Sequence, residues 1–150
     1  MVETIEQRIM RHEGYRDKIY LDSRGYETIG WGTKINKDQK SRFINGITEA
    51  EAQKLFDDRL GECWHYCIVA ISTTFHRLDP LRQEVIAEMV YQLGIKGVLK
   101  FKKMLAALDR QDFDEAADQM LESLWCEQTP SRCKELAGMM RKGQQEDAVS

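Results

Sequence analysis

The spacing of apolar residues predicts a short helix at the start of the chain. Val2, Ile5 and Ile9 recur at helical intervals, and Gly14 follows them where a helix stop is expected. This pattern places Glu13 at the end of the first helix.

A change of period predicts a hairpin next. The segment KIYLDSRGYETIGWG alternates apolar and polar residues around a turn at residues 22–25. Asp22 opens this turn and Gly25 closes it, a pattern typical of a type I turn. The segment is the only good strand signal in the chain.

Helical spacing returns at Thr48 and dominates the rest of the sequence. Thr48 and Glu51 match a capping box, and the periodicity behind them predicts a helix of over about 20 residues. The later segments predict a series of short helices, whose caps are Asp79 before Pro80, Asp112 with Glu115, and Thr129 before Pro130.

These elements predict a mainly helical α+β fold with two lobes: a small antiparallel hairpin lobe, a long connecting helix and a helical C-terminal lobe. A chain of 150 residues suits one domain. We expect the hairpin lobe over residues 13–60 and the helical lobe over residues 1–12 with 61–143, because the apolar face of residues 1–12 is too small to stand alone. Residues 144–150 read as a flexible tail, and a hinged cleft between the lobes is the expected substrate site.

The charges exclude some functions. Lys and Arg total 22 against 25 Asp and Glu, and both signs are interspersed, which argues against nucleic-acid binding. No apolar run approaches the length of a membrane span, and MVETIEQR is too polar to begin a secretory signal. We therefore expect a protein without membrane insertion that is made and folded in the cytoplasm.

Four cysteines raise the question of a metal site. Cys63, Cys67, Cys126 and Cys133 do not have the spacing of Cys-x-x-Cys knuckles, and His65 points away from the first pair. We therefore predict no metal site, and we favour reduced thiols for a cytosolic chain.

Two carboxyl groups suggest glycoside hydrolysis. That reaction needs one carboxylic acid to protonate the leaving oxygen and a second carboxylate to drive water or attack the sugar, and Glu13 and Asp22 are candidates. Taken alone, two acids among 25 are better explained as a solvated helix end and an Asx turn than as a catalytic pair.

The surrounding residues add a resemblance. HEGYRDKIYLDSRGYETIGWG resembles the catalytic stretch of the T4-type bacteriophage lysozyme family, in which an E-G pair precedes an x-D-x-x-G-Y-x-T-I-G-x-G hairpin. The resemblance continues through GITEAEAQKLF, MVYQLGIKGVLKF and FDEAADQMLESLWCEQTPSRCKEL. It covers nearly the whole chain in collinear order and implies a lysozyme-like fold.

The resemblance also implies roles for individual residues. Glu13 matches the general acid, Asp22 the carboxylate that deprotonates water, and Thr28 the hydroxyl that holds this water, although Thr28 by itself reads as an ordinary strand residue. The positions that match substrate contacts are Lys34, Tyr91, Gln92, Met104, Gln119 and Arg132, of which Lys34, Met104 and Gln119 differ in type from the family. Arg132 matches an arginine that pairs with the catalytic glutamate.

Trp125 and Thr129 read as structural residues first. Trp125 matches a tryptophan behind the cleft, for which packing is favoured over sugar stacking. Thr129 reads as a helix cap before any functional role.

The chain departs from the family in one ion pair and in the segment that shapes the lower rim of the cleft. A family member has a histidine after the hairpin glycine and an acidic partner on the long helix, where this chain has Thr33 and Arg59. Both members of that ion pair are absent together, so no orphan charge results. The segment KINKDQKSRFIN is also shorter than in the family.

The implied function is that of an endolysin that hydrolyses the β-1,4 bond between N-acetylmuramic acid and N-acetylglucosamine in bacterial peptidoglycan. The resemblance implies an inverting mechanism and no metal or organic cofactor. We also expect a monomer. Because MVETIEQR does not begin a secretory signal, we expect the protein to stay in the host cytoplasm until a membrane-permeabilising phage protein releases it for lysis. Two alternatives remain: a lytic transglycosylase, which needs no water-positioning aspartate, and an inert wall-binding module that has kept the fold.

Overall fold

A computed structural model of the protein describes residues 2–144. The chain divides into two compact units, with the division after Glu62. The placement of residues 1–12 in the helical lobe and the hinged cleft stay predictions, and the predicted tail lies outside the described residues except for Gln144. Within residues 2–144, the structure has no helix that is both long and apolar enough to span a membrane.

The first unit begins with helix α1, Ile5–Glu13. A capping box starts it, because the Thr4 side chain accepts from the Gln7 amide and the Gln7 side chain accepts from the Thr4 amide. Gly14 ends it at φ 70°, as predicted. The predicted apolar face is shorter than expected, since Val2 precedes the helix and is exposed.

A three-stranded antiparallel sheet follows, with strands β1 (Arg16–Leu21), β2 (Glu27–Gly30) and β3 (Thr33–Lys34) in chain order. The predicted turn is confirmed by the Gly25 amide, which donates to the Asp22 carbonyl at 3.0 Å. The third strand has two residues, too few for an alternation pattern to reveal.

Helix α2, Lys40–Phe43, leads to the long helix α3, Glu49–Ala70. The predicted capping box is present: the Thr48 amide donates to Glu51 Oε1 at 3.0 Å, and the Glu51 amide donates to Thr48 Oγ1 at 3.1 Å. The length of 22 residues agrees with the prediction.

The second unit is helical. Its helices are α4 (Ser72–His76), α5 (Pro80–Leu99), α6 (Lys102–Asp109), α7 (Phe113–Leu121), α8 (Leu124–Gln128) and α9 (Pro130–Lys142). Helix α7 packs against α6 and α9, and α5 and α8 also pack against α9. The core includes fully buried side chains from these helices, among them Ile86, Met89, Met104, Leu108, Met120, Leu136 and Met140.

The helix caps of this unit are mostly those predicted. The Asp79 and Asp112 side chains accept from the amides of Arg82 and Glu115. Thr129 occupies the N-cap position of α9, but its side chain makes no capping bond. The expectation of short helices is wrong for α5, which has 20 residues, although non-helical angles at Gly94 (φ 76°) interrupt it.

Arg82 ties the start of α5 to the end of α9. Its guanidinium donates to the Met140 carbonyl at 2.6 Å and pairs with Asp79 at 2.9 Å. Asp79 also accepts from the Gln144 amide at 2.8 Å. Burial acts to raise the pKa of Asp79, but the hydrogen bonds from Gln144 and Arg82 outweigh it and hold this pKa below its ordinary value.

The prediction of reduced thiols is wrong for one cysteine pair. Cys126 of α8 and Cys133 of α9 form a disulfide, with their Cα atoms 5.1 Å apart. The seven-residue interval matches no zinc knuckle, but the packing of α8 on α9 brings the two thiols together. Within residues 2–144, Cys63 and Cys67 are buried thiols outside any disulfide. Burial raises the pKa of the Cys67 thiol to about 12, and the neighbouring Cys63 adds to this shift.

Candidate active site

Glu13 lies where the end of α1 faces the last turn of the sheet. Gly32, at φ 78°, passes so close that a Cβ atom there would lie 2.5 Å from Glu13 Oε1 and 2.7 Å from Cδ. A side chain at position 32 would therefore displace the Glu13 carboxyl group, and the positive φ also favours glycine there. The contact fixes one side of the Glu13 side chain.

Asp22 is held by the hairpin turn that it opens. Its Oδ1 atom accepts from the amides of Arg24 and Tyr26, both at 2.9 Å. These bonds form an Asx turn and leave Oδ2 as the oxygen not tied to the turn backbone. The turn therefore orients the carboxylate.

Thr28 is joined to the same turn through one backbone oxygen. The Tyr26 carbonyl accepts from Thr28 Oγ1 at 2.8 Å and from the Asp22 amide at 2.9 Å. The distance from Thr28 Oγ1 to the Asp22 amide nitrogen therefore cannot exceed the sum of these two distances. Because the hydroxyl proton is committed to the carbonyl, the lone pairs of Oγ1 remain to accept from another donor.

The strand register places three side chains in one row. Tyr20 pairs with Thr28, and Thr28 pairs with Lys34. Residues directly opposite in an antiparallel sheet share a face. Lys34 is therefore on the face of the sheet that carries Thr28, one strand away.

The charges of this unit act on one another. Burial raises the pKa of Tyr20, and the negative charges of Glu13 and Asp22 raise it further. Burial also lowers the pKa of Lys34, and the cations Arg24 and Arg59 lower it further, whereas Asp22 and Glu13 oppose the change. Both candidate carboxyl groups thus lie within electrostatic reach of the Tyr20–Lys34 row.

The side chains of Arg24 and Lys34 both lie against the Tyr26 ring. Arg24 Cζ lies 5.2 Å from the ring centroid and Lys34 Nζ lies 4.9 Å from it. Both distances are within the range of a cation–π contact. Nearly half of Tyr26 is exposed, so this arrangement lies at the surface.

The two departures from the family lie in the first unit. Arg59 contributes to the positive potential at Lys34. Thr33 Oγ1 is buried and has no hydrogen-bond partner within residues 2–144.

In the second unit, Gln92 is bound to two neighbours. Its Oε1 atom accepts from the Trp125 indole at 2.8 Å, and its Nε2 atom lies 3.5 Å from Thr129 Oγ1. Trp125 is buried with its ring edge-on to Phe101, which agrees with the packing role predicted for it. Tyr91 is also fully buried.

The remaining predicted contacts have other partners. Gln119 donates to Glu115 at 2.7 Å, and Met104 has no exposed surface. Arg132 pairs with the fully buried Glu88, with Nε 3.0 Å from Oε2. The roles of these residues toward substrate, and the pairing of Arg132 with Glu13, stay predictions.

Sequence reasoning missed several residues of these sites. Tyr26 accepts hydrogen bonds through its carbonyl oxygen, which no side-chain pattern reveals. The contact of Gly32 with the Glu13 carboxyl group is likewise not visible in the hairpin pattern. Glu88 directly follows three apolar residues in a helix, and this position was the only indication in the sequence that its charge is buried. The cation pair on Tyr26 depends on strand register.

Comparison with known proteins identifies the family. The model of the phage lysozyme family matches residues 10–146. The chain belongs to the phage lysozyme family. It is 30% identical to "Probable T4-type lysozyme 1" of Dictyostelium discoideum and 28% identical to "Probable T4-type lysozyme 2" of the same organism, in each case over 95% of this chain and 96% of the relative. It is also 30% identical to the "Pre-baseplate central spike protein Gp5" of Enterobacteria phage T4, over 93% of this chain and 28% of that protein.

Membership of the phage lysozyme family makes the chain an enzyme. It is a glycoside hydrolase of the muramidase type, which acts on peptidoglycan. The mainly helical fold with a small antiparallel sheet agrees with the fold expected of a phage lysozyme.

Proposed function

We propose that this lysozyme hydrolyses the β-1,4 bond between N-acetylmuramic acid and N-acetylglucosamine with Glu13 as general acid, Asp22 as general base and Thr28 as the residue that positions water. The observation that carries the proposal is the shared Tyr26 carbonyl, which joins the Thr28 hydroxyl to the Asp22 backbone.

This arrangement suits a water molecule with two acceptors. The Thr28 hydroxyl donates its hydrogen bond to the Tyr26 carbonyl, and Asp22 Oδ2 is not tied to the turn. A water that donates one proton to each oxygen keeps a lone pair for the anomeric carbon. As the new bond forms, Asp22 takes up the proton that it already holds in a hydrogen bond.

Glu13 completes the reaction at the leaving group. The departing sugar oxygen needs a proton, because an alkoxide is a poor leaving group. Gly32 closes one side of the Glu13 carboxyl group and restricts its orientation. Glu13 therefore gives its proton to the glycosidic oxygen as the bond breaks.

Direct attack by this water inverts the configuration at the anomeric carbon. Inverting enzymes separate the two carboxyl groups by about 6.5–9.5 Å, whereas retaining enzymes bring them to about 5–5.5 Å. Polarimetry or NMR of the first product formed distinguishes the two: an α-anomer supports direct attack, and a β-anomer contradicts it.

Matched variants test the three roles. Glu13→Gln and Asp22→Asn should each lower kcat by about 10²- to 10⁴-fold, measured as clearing of purified peptidoglycan. Thr28→Ser keeps the hydroxyl and should retain most activity, whereas Thr28→Val keeps the shape and should not.

Two results would redirect the proposal. Near-normal clearing by folded Glu13→Gln protein would remove Glu13 as the acid. Anhydro-muramic ends in the products would indicate a transglycosylase, and stable wall binding without any clearing by the parent protein would indicate an inert binding module.

We further propose that the enzyme serves in host cell lysis as a monomer, and that it stays in the host cytoplasm until a membrane-permeabilising phage protein releases it to the periplasmic peptidoglycan. The support is its membership of the phage lysozyme family. Expression alone should leave growing cells intact, and co-expression with a pore-forming phage protein should lyse them. Lysis by the enzyme alone would contradict the proposed route, and a dimer in light scattering would contradict the monomer.

A further inference from the structure

A cationic patch formed by Arg24, Lys34 and the Tyr26 ring lies beside the proposed water site. Both cations lie within about 5 Å of the same exposed ring. Lys34 is also the cross-strand neighbour of Thr28. The patch is therefore one strand away from the hydroxyl that would position the water.

Holding these cations together has an energetic cost. Lys34 is about half-buried, and Arg24 and Arg59 both repel its charge. The Tyr26 ring offsets part of this repulsion through its negative face. A bound anion would offset more, because it replaces the lost hydration and pairs with both cations.

We propose that Arg24 and Lys34, held on the Tyr26 ring, form a carboxylate subsite that recognises the acidic substituent of muramic acid. This inference rests on the proposed function and adds a basis for substrate choice. The lactyl group of muramic acid ends in a free carboxylate in bare glycan and is extended by an acidic peptide in intact peptidoglycan. Polymers of N-acetylglucosamine carry neither group.

The chemistry of the patch suits this ligand. The Arg24 guanidinium can donate two parallel hydrogen bonds to a carboxylate, and the Lys34 ammonium supplies a compact charge. The exposed part of the Tyr26 ring offers an apolar surface for the methyl group of the lactyl unit. The patch thus distinguishes muramic acid from its neutral counterpart by charge.

Binding of a product-like disaccharide tests the subsite without catalysis. The probe is N-acetylglucosaminyl-β-1,4-N-acetylmuramic acid, which lacks the scissile linkage, and NMR titration measures its Kd. Its methyl ester removes the charge, and a third probe carries a dipeptide with a single terminal carboxylate. We expect at least one of the two anionic probes to bind about tenfold more tightly than the ester, and comparison of the two identifies the carboxylate recognised.

Two variants and one control assign the preference to the patch. Lys34→Met and Arg24→Gln should each remove most of it, whereas Lys37→Met, the same change on an exposed lysine after β3, should keep it. Circular dichroism checks that each protein folds. Should Lys34→Met fail to fold, Arg24→Gln and the loss of preference at high salt in the parent protein provide the test.

The outcomes separate this inference from the proposed function. Equal binding of both anionic probes and the ester by a protein that clears peptidoglycan would overturn the subsite and leave the function standing. A charge preference in a protein that clears nothing would support the subsite and overturn the function. A preference that survives in both patch variants would also overturn the subsite.

Discussion

Removing one partner of the Glu88–Arg132 ion pair should destabilise the protein strongly. Glu88 has no exposed surface, and only 8% of the Arg132 side chain is exposed. The pair joins α5 to α9 through Nε and Oε2 at 3.0 Å. Both charges have lost most of their hydration, so either one left alone in this site is poorly compensated.

The expected magnitude follows from this burial. Loss of one partner from a buried pair costs about 3–5 kcal/mol in the free energy of unfolding. For a chain of this size each kcal/mol lowers Tm by about 2–4 °C. Glu88→Met or Arg132→Met alone should therefore lower Tm by about 10 °C.

The double variant provides the decisive comparison. Glu88→Met with Arg132→Met replaces both charges by apolar side chains and should recover most of the lost stability. Urea unfolding of the parent, both single variants and the double variant gives a coupling free energy, which should amount to most of the sum of the two single losses. The matched control is Lys54→Met, which breaks the exposed Lys54–Asp58 pair and should leave Tm almost unchanged.

A Glu88→Met protein as stable as the parent would refute the reasoning. So would a double variant whose loss equals the sum of the two single losses. Either result would mean that burial of the pair does not govern the stability of α5 against α9.

Three further perturbations test other parts of the structure. Gly32→Ala should lower kcat by about 10²-fold, because its Cβ would displace the Glu13 carboxyl group. The control Gly143→Ala, at a similar positive φ but against the Arg82 side chain, should cost stability without this loss. The lowered pKa of Asp79 means that its contribution to stability is present above its ordinary pKa of 3.8 and is lost as pH falls through the folded-state value, so Asp79→Asn should flatten the decline of Tm in acid. Reduction of the α8–α9 disulfide should cost about 2–3 kcal/mol and lower Tm by about 5–10 °C, and a double cysteine-to-serine variant should not respond to reductant.

The sequence predicted features that depend on neighbouring residues. The capping boxes and the caps at Asp79 and Asp112 join atoms within a few residues of one another, so their patterns can be read directly. The turn at Asp22 is equally local. Order and spacing of these elements were enough to predict the α+β class.

Features that depend on packing between helices or on strand register were not predictable in this way. The thiols were expected to be reduced because the chain was expected in the cytoplasm. That expectation contains no information on the packing of α8 against α9, which brings Cys126 to Cys133. A glycine inside a helical pattern is tolerated, so Gly94 gave no indication of a break. The contact of Lys34 with Tyr26 depends on the third strand, and a strand of two residues is too short to be predicted from the sequence.

The Tyr26 carbonyl has a consequence for how this enzyme can be studied and how it can evolve. An acceptor that belongs to the backbone is the same in all twenty amino acids, so substitution at position 26 leaves it in place. Deep mutational scanning will therefore report on the Tyr26 ring and miss the oxygen that joins the Thr28 hydroxyl to the Asp22 backbone. Replacement of the peptide bond between residues 26 and 27 by an ester weakens that oxygen as an acceptor, and Cys63, at the division between the two units, offers a natural ligation point for building such a protein by semisynthesis.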